Sequence, residues 1–211
     1  MDKIKVVAVI LLVSFWLGGC SREKAMPDIS ANGSATAIEV NKDGSISETI
    51  WESFEAGYYN EEELRTMVLS EVAEFNRAYP ESGVLIEQLE YEDGSITMRL
   101  KYPSAEIYTA FNTDEYNQNT LFCGTVSQAY EAGYSLDISM TDPKGENTIG
   151  KEALLSMGEA KILIADQPVY VILPGKLTYI GEHVIPDGKA EAYMEPGQEG
   201  EASRMYYVIY K

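Results

Sequence analysis

His183, in the segment YIGEHVIPDG, is the only histidine in 211 residues, and Cys20 and Cys123 are the only cysteines. Those counts bound the chemistry. Histidine titrates near neutral pH and is the commonest transition-metal ligand. A zinc site built on two or three histidines is impossible here, and two cysteines cannot make a four-thiolate site. A nucleophilic hydrolase would have to enlist His183. Its thiol partner would be Cys123, which lies in TLFCGTV among apolar residues and reads as a small buried hydrophobe. No G-x-S-x-G turn presents a serine nucleophile. His183 itself stands between Tyr179-Ile180 and Pro186-Asp187-Gly188, where a strand is expected to run out into a solvent-facing turn. TDPKGEN carries oxygen donors at Asp142, Glu146 and Asn147 but lacks the ligand spacing of a calcium loop, and a turn built on Pro143 and Gly145 accounts for it. No metal, no cofactor and no catalytic residue is therefore assigned.

Two other residue classes remain. The 34 acidic residues leave room for a carboxylate pair of the kind that runs glycoside hydrolysis, without singling one out. The 15 tyrosines include Tyr58, Tyr59, Tyr130, Tyr134, Tyr206 and Tyr207, whose amphipathic rings are candidates for a face that binds sugar or peptide. The plainer account is tyrosine edging a sheet with its ring inside and its hydroxyl wet.

The N-terminus adds an address. Lys3 and Lys5 precede an apolar run from Val6 to Leu17, broken only by Ser14. The run is shorter than the roughly 20 residues that cross a bilayer and suits the apolar region of a secretory signal. It ends in Leu17-Gly18-Gly19-Cys20, which resembles the lipobox of bacterial lipoproteins. The resemblance implies cleavage between Gly19 and Cys20 by lipoprotein-processing enzymes and a diacylglyceryl group on the Cys20 sulfur. Acyl chains contribute about 0.8 kcal/mol per buried methylene, and two of them anchor stably. The expected location is the extracytoplasmic face of the cell membrane. Such cleavage removes Asp2, Lys3 and Lys5, a net +1 from the −18 of the full chain, and leaves −19. That charge argues against nucleic acid, whose binding rests on neutralising phosphate, and against electrostatic adhesion to anionic lipid. With Cys20 acylated, Cys123 has no disulfide partner within the chain, so an apolar core must hold the domain together.

The elements that would position any site follow from periodicity. Ser21–Ala37 has no apolar period and is rich in small and polar residues, so residues 20–37 are expected to be the acylated cysteine and a flexible linker. The folded part is expected over 38–211, as one domain or as two lobes dividing near residue 134. AIEVNKDGSISETI and LIEQLEYEDGSITMRLKY each place β-like runs around Asp-Gly, a hairpin signal. Between them, Leu64, Met67, Val68, Val72, Phe75 and Tyr79 recur at helical spacing, with Asn60 as the cap and Pro80 as the stop. SAEIYTAFN, GTVSQAYEAGY and GKEALLSM suggest short helices. SLDISM, AKILIAD, VYVILP, KLTYIGEHVI, AEAYM and RMYYVIYK are β-branched and aromatic.

The pattern predicts an α+β fold: one long amphipathic helix and short helices on antiparallel sheet, with a mostly β C-terminal half. SISETIWESFEAGYYNEEEL, FCGTVSQAYEAGY and VILPGKLTYIG, about a quarter of the chain, resemble uncharacterised lipoproteins of Gram-positive bacteria. The resemblance brings no activity and no site residues. The function expected is a membrane-anchored binding or envelope-associated module whose partner is an envelope protein, a peptide or a glycan. The alternative is a cell-envelope hydrolase or transferase working through a carboxylate pair.

Overall fold

The computed structural model describes residues 34–53, 60–92, 94–113, 119–197 and 204–211. Among these residues, two sheets and four helices make up an α+β fold. The chain opens with the antiparallel hairpin β1 (Ser34–Val40) and β2 (Ile46–Ser53), turned at Gly44, which holds a φ of +86°. Helix α1 (Glu61–Ala78) follows, and then the hairpin β3 (Leu85–Glu92) and β4 (Ser95–Tyr102). Helix α2 (Ala105–Asn112), β5 (Leu121–Thr125) and α3 (Val126–Glu131) lead to two short strands, β6 (Met140–Thr141) and β7 (Thr148–Ile149). Helix α4 (Lys151–Ser156) precedes β8 (Lys161–Ala165), β9 (Tyr170–Ile172), β10 (Leu177–Ile180), β11 (Val184–Pro186), β12 (Glu191–Met194) and β13 (Tyr206–Tyr210).

The first sheet runs β11-β12-β9-β1-β2-β4-β3 and the second β5-β8-β13-β10-β6-β7. Both take strands from each half of the chain, so a cut near residue 134 would sever both sheets. One core lies between them. Ile38, Ile46, Leu100, Val171 and Met194 of the first sheet meet Leu163, Leu177, Tyr206 and Val208 of the second. A second core covers the far face of the second sheet, where Ile162, Ile164, Tyr207 and Ile209 meet Val126, Ala129 and Leu154 of α3 and α4. The central strands β8 and β13 are thus buried on both faces, which is why KILIA and YYVIY are unbroken apolar runs rather than alternating ones. Among the described strands, pairing is antiparallel except for β1 with β9.

Local signals behave as their chemistry dictates. The Asn60 carboxamide oxygen accepts the N–H groups of Glu62 at 3.0 Å and Glu63 at 3.2 Å. Thr125 and Gln128 form a reciprocal capping box on α3. Gly133 leaves that helix with a φ of +87°.

Three expectations need correcting. The segment expected as linker up to Ala37 ends earlier, because Ser34–Val40 is a strand, paired with β2 along its whole length and with β9 from Ala37 onward. Its small residues fit because they lie against neighbouring strands; Ala37 is buried. On α1 the inward line is Leu64, Val68, Val72, Phe75 and Asn76, whereas Met67 is 57% and Tyr79 42% exposed. The helix packs on β3 and, through Phe75, against Phe111 of α2, and this seat leaves Met67 and Tyr79 outside it. SLDISM contributes only its last residue, Met140, to a sheet, as the first residue of β6.

His183 adopts a φ of +60° at the turn between β10 and β11, and its side chain is exposed. Its Nδ1 lies 3.9 Å from Glu195 Oε2. A left-handed conformation burdens any residue with a Cβ, histidine less than most. His183→Ala is therefore expected to change stability by no more than about 0.5 kcal/mol. His183→Gly should match or exceed wild type, by up to about 1 kcal/mol. Urea midpoints decide it, and a large loss in either variant would mean that the imidazole holds the turn.

Candidate functional site

Helix α2 divides its residues between two polar features. Its first face carries Ala105, Tyr108 and Asn112 onto the inner surface of β2 and β4, where Glu48 stands. Glu48 follows the inward parity of Ile46 on β2 and is paired in register with Ile38 on one side and Leu100 on the other. It is 5% exposed. The Tyr102 hydroxyl donates to Glu48 Oε2 at 2.6 Å and the Tyr108 hydroxyl to Oε1 at 3.3 Å, while Asn112 Nδ2 donates to the Tyr102 oxygen at 3.4 Å. Among the described residues no cation pairs with it. Burial raises the Glu48 pKa, and the two hydroxyls offset only part of that. Burial, reinforced by the Glu48 charge, pushes both tyrosine hydroxyls up, so they stay protonated as donors.

The other face of α2, with Glu106, Thr109, Ala110 and Thr113, looks onto an open groove of about 460 Å³. Tyr79, the residue that ends α1, lines it too. Thr120, Leu121 and Phe122 of the β5 segment and Tyr134 beyond α3 complete the lining. The β5 strand is the edge of the second sheet, yet its edge is partly stoppered: Thr109 Oγ1 accepts the Leu121 N–H at 2.9 Å and donates to the Leu121 carbonyl at 3.3 Å. Phe122 and Tyr134 pack with ring centroids 5.0 Å apart, and Tyr79 stacks on Phe75 at 4.4 Å. Burial, and then the charges of Asp166 and Glu106 among its neighbours, raises the Tyr134 pKa. Rings, hydroxyls and one carboxylate therefore meet at one concave surface, the mixed apolar and polar lining of a small-molecule or peptide site.

The tyrosines singled out in the sequence are scattered. Tyr134 lines the groove. Tyr130 is 59% exposed on α3, outside it. Tyr206 and Tyr207 are not part of any binding face: Tyr206 lies in the core between the sheets and donates its hydroxyl to the Glu195 carbonyl at 2.6 Å, and Tyr207 lies in the core under α3 and α4. A strand buried on both sides leaves neither residue a wet side. Tyr58, Tyr59, Gly19 and Cys20 lie outside the described residues. Cys123 packs against the inter-sheet core, and burial pushes its thiol up to about 12, which leaves almost no thiolate at neutral pH. The oxygens of Asp142 accept N–H groups of Lys144, Glu146 and Asn147, each at 3.0 Å, so they serve the turn. Among the described residues, no group of three or more His, Cys, Asp and Glu is placed to hold a metal ion.

Two carboxylates do converge elsewhere. Tyr170 Oη lies 2.6 Å from Glu191 Oε2 and 2.8 Å from Asp187 Oδ2, so one proton serves both in turn. The same outer face of the first sheet carries Arg99, which joins Glu39 at 2.7 Å, Glu87 at 3.0 Å and Thr49 at 2.9 Å and so stitches four strands.

Glu48, Glu106, Thr109 and Tyr79 escaped the reading from sequence. Glu48 had a local signal: a charge at the middle of Ile46-x-Glu48-x-Ile50 breaks a period-two apolar pattern. The groove had none, because its residues come from four separate segments. The chain matches no protein-family model, no curated protein and no solved structure.

Proposed function

We propose that this chain is a lipid-anchored extracytoplasmic lipoprotein that acts as a binding module, and that the groove beside α2 is where it binds. The anchor rests on Leu17-Gly18-Gly19-Cys20 and the short apolar leader before it. The groove carries the binding half: Tyr79, Phe122 and Tyr134 with threonine hydroxyls at one concave surface. Cys20 stands 14 residues ahead of Ser34, where β1 begins, so the acylated residue and the first strand are separate in the chain.

The second reading, an envelope hydrolase or transferase, is favoured by one observation, the meeting of Asp187 and Glu191 at Tyr170. One set of variants separates the two. Cys20→Ala is expected to shift the protein from the membrane fraction to uncleaved or released forms, and an unmodified mature Cys20 in wild type, read by mass spectrometry, would overturn the anchor. Among anchored and folded variants, Tyr134→Ala should reproduce the phenotype of gene deletion and Asp187→Asn should not. The reverse result makes the carboxylate pair the active site.

A further inference from the structure

The charges around the groove narrow what it binds, given the reading that it binds at all. Among the described residues, Glu106 is its one charged lining residue, and no lysine, arginine or histidine lines it. Asp166 stands beside it, its Oδ1 accepting the N–H of the lining residue Thr120 at 2.8 Å. Its charge and that of Glu106 both act on the Tyr134 hydroxyl. An anionic ligand would meet two carboxylates and no cation, an arrangement that repels it. A cation gains twice. The carboxylate attracts it, and the electron-rich faces of Tyr79, Phe122 and Tyr134 attract it through the ring quadrupole. Guanidinium suits this lining better than ammonium, because it is planar, stacks on rings and forks onto a carboxylate with two parallel hydrogen bonds. The net charge of −18 on the chain adds long-range steering of a basic partner. We propose that the groove between α2 and β5 docks an arginine of a basic peptide segment on a partner protein, its guanidinium lying on the aromatic rings and paired with Glu106.

The test uses the full chain in detergent micelles and the blocked pentapeptide Gly-Arg-Gly-Arg-Gly, acetylated and amidated at its ends. A matched peptide carries citrulline, whose urea keeps the guanidinium shape without its charge. Calorimetry gives the affinity and amide shifts at Thr109, Thr113 and Thr120 give the place. The citrulline peptide is expected to bind at least about tenfold more weakly, and Glu106→Gln to weaken the arginine peptide by a similar factor. Glu152→Gln, an exposed change on α4, should leave it unaltered. Equal losses in both variants would show diffuse attraction to an acidic surface and overturn the proposal. Equal affinity of the two peptides would overturn it too, yet leave the groove as a binding site. If neither peptide binds, the arginine proposal fails, and the phenotype of Tyr134→Ala decides separately whether the groove is used.

Discussion

Replacing Glu48 by glutamine should flatten a pH dependence of stability that wild type shows above about pH 4.5. The sign follows from linkage. Unfolded, Glu48 titrates near the ordinary glutamate value of 4.5; folded, burial holds its pKa above that. Below the unfolded value the carboxyl is protonated in both states and burial costs little. As pH rises the unfolded chain releases the proton while the folded one retains it, so stability falls, by up to about 1.4 kcal/mol per pH unit, until the folded pKa is passed. This is the reverse of an ordinary salt-bridged carboxylate, whose contribution is lost on acidification. Self-repulsion among the other acidic groups also changes with pH, but it is common to both proteins and cancels in the difference. Tyr102→Phe provides the complement. It removes the 2.6 Å donor to Glu48 and should cost about 1.5–3 kcal/mol wherever that carboxylate is charged, shrinking towards pH 4 as the acceptor becomes neutral. Denaturant unfolding at pH 4, 5.5 and 7 measures all three proteins. Parallel curves for wild type and Glu48→Gln would show that the folded carboxyl titrates as in the unfolded chain.

Removing β1 should abolish folding, although the strand is the first of the described elements. It sits in the interior of the first sheet, hydrogen-bonded to β2 on one side and to β9 on the other. Ile38 and Val40 are 1% and 4% exposed. Taking out two such side chains forfeits about 1.5–3 kcal/mol of burial each. It also leaves backbone groups of β2 and β9 without partners beneath a covered face. Set against a total stability of about 5–15 kcal/mol, the loss is too large. A chain beginning at Ser34 is therefore expected to melt cooperatively and one beginning at Asn41 to give no cooperative transition. A chain beginning at Ile38 keeps the two buried residues but loses the pairing of Ser34–Ala37 with Thr49–Glu52. It should fold with a stability lower by about 1–3 kcal/mol, the cost of several lost ladder bonds. Circular dichroism melts distinguish the three, and a cooperative melt from Asn41 onward would show that the sheet closes without its central strand.

What the sequence determined by itself is everything set within about one turn of chain. Asn60 and Thr125 cap their helices because their side chains reach N–H groups two or three residues ahead. Gly44 turns a hairpin because it tolerates positive φ. KILIA and YYVIY could be recognised as strands from their apolar, β-branched and aromatic composition. Periodicity reports how much of a side chain is buried and not against what, and that was left to tertiary structure. Packing joins β1 to β9 in parallel across more than a hundred residues of sequence and buries Tyr206 and Tyr207 on opposite faces of one strand. It also closes α2 over Glu48, so that a carboxylate alone in an apolar row acquires two hydroxyl donors. The groove is the extreme case: Tyr79, Glu106, Phe122 and Tyr134 become neighbours only when α1, α2 and β5 meet at the sheet edge, because nothing local in any of those segments depends on the others.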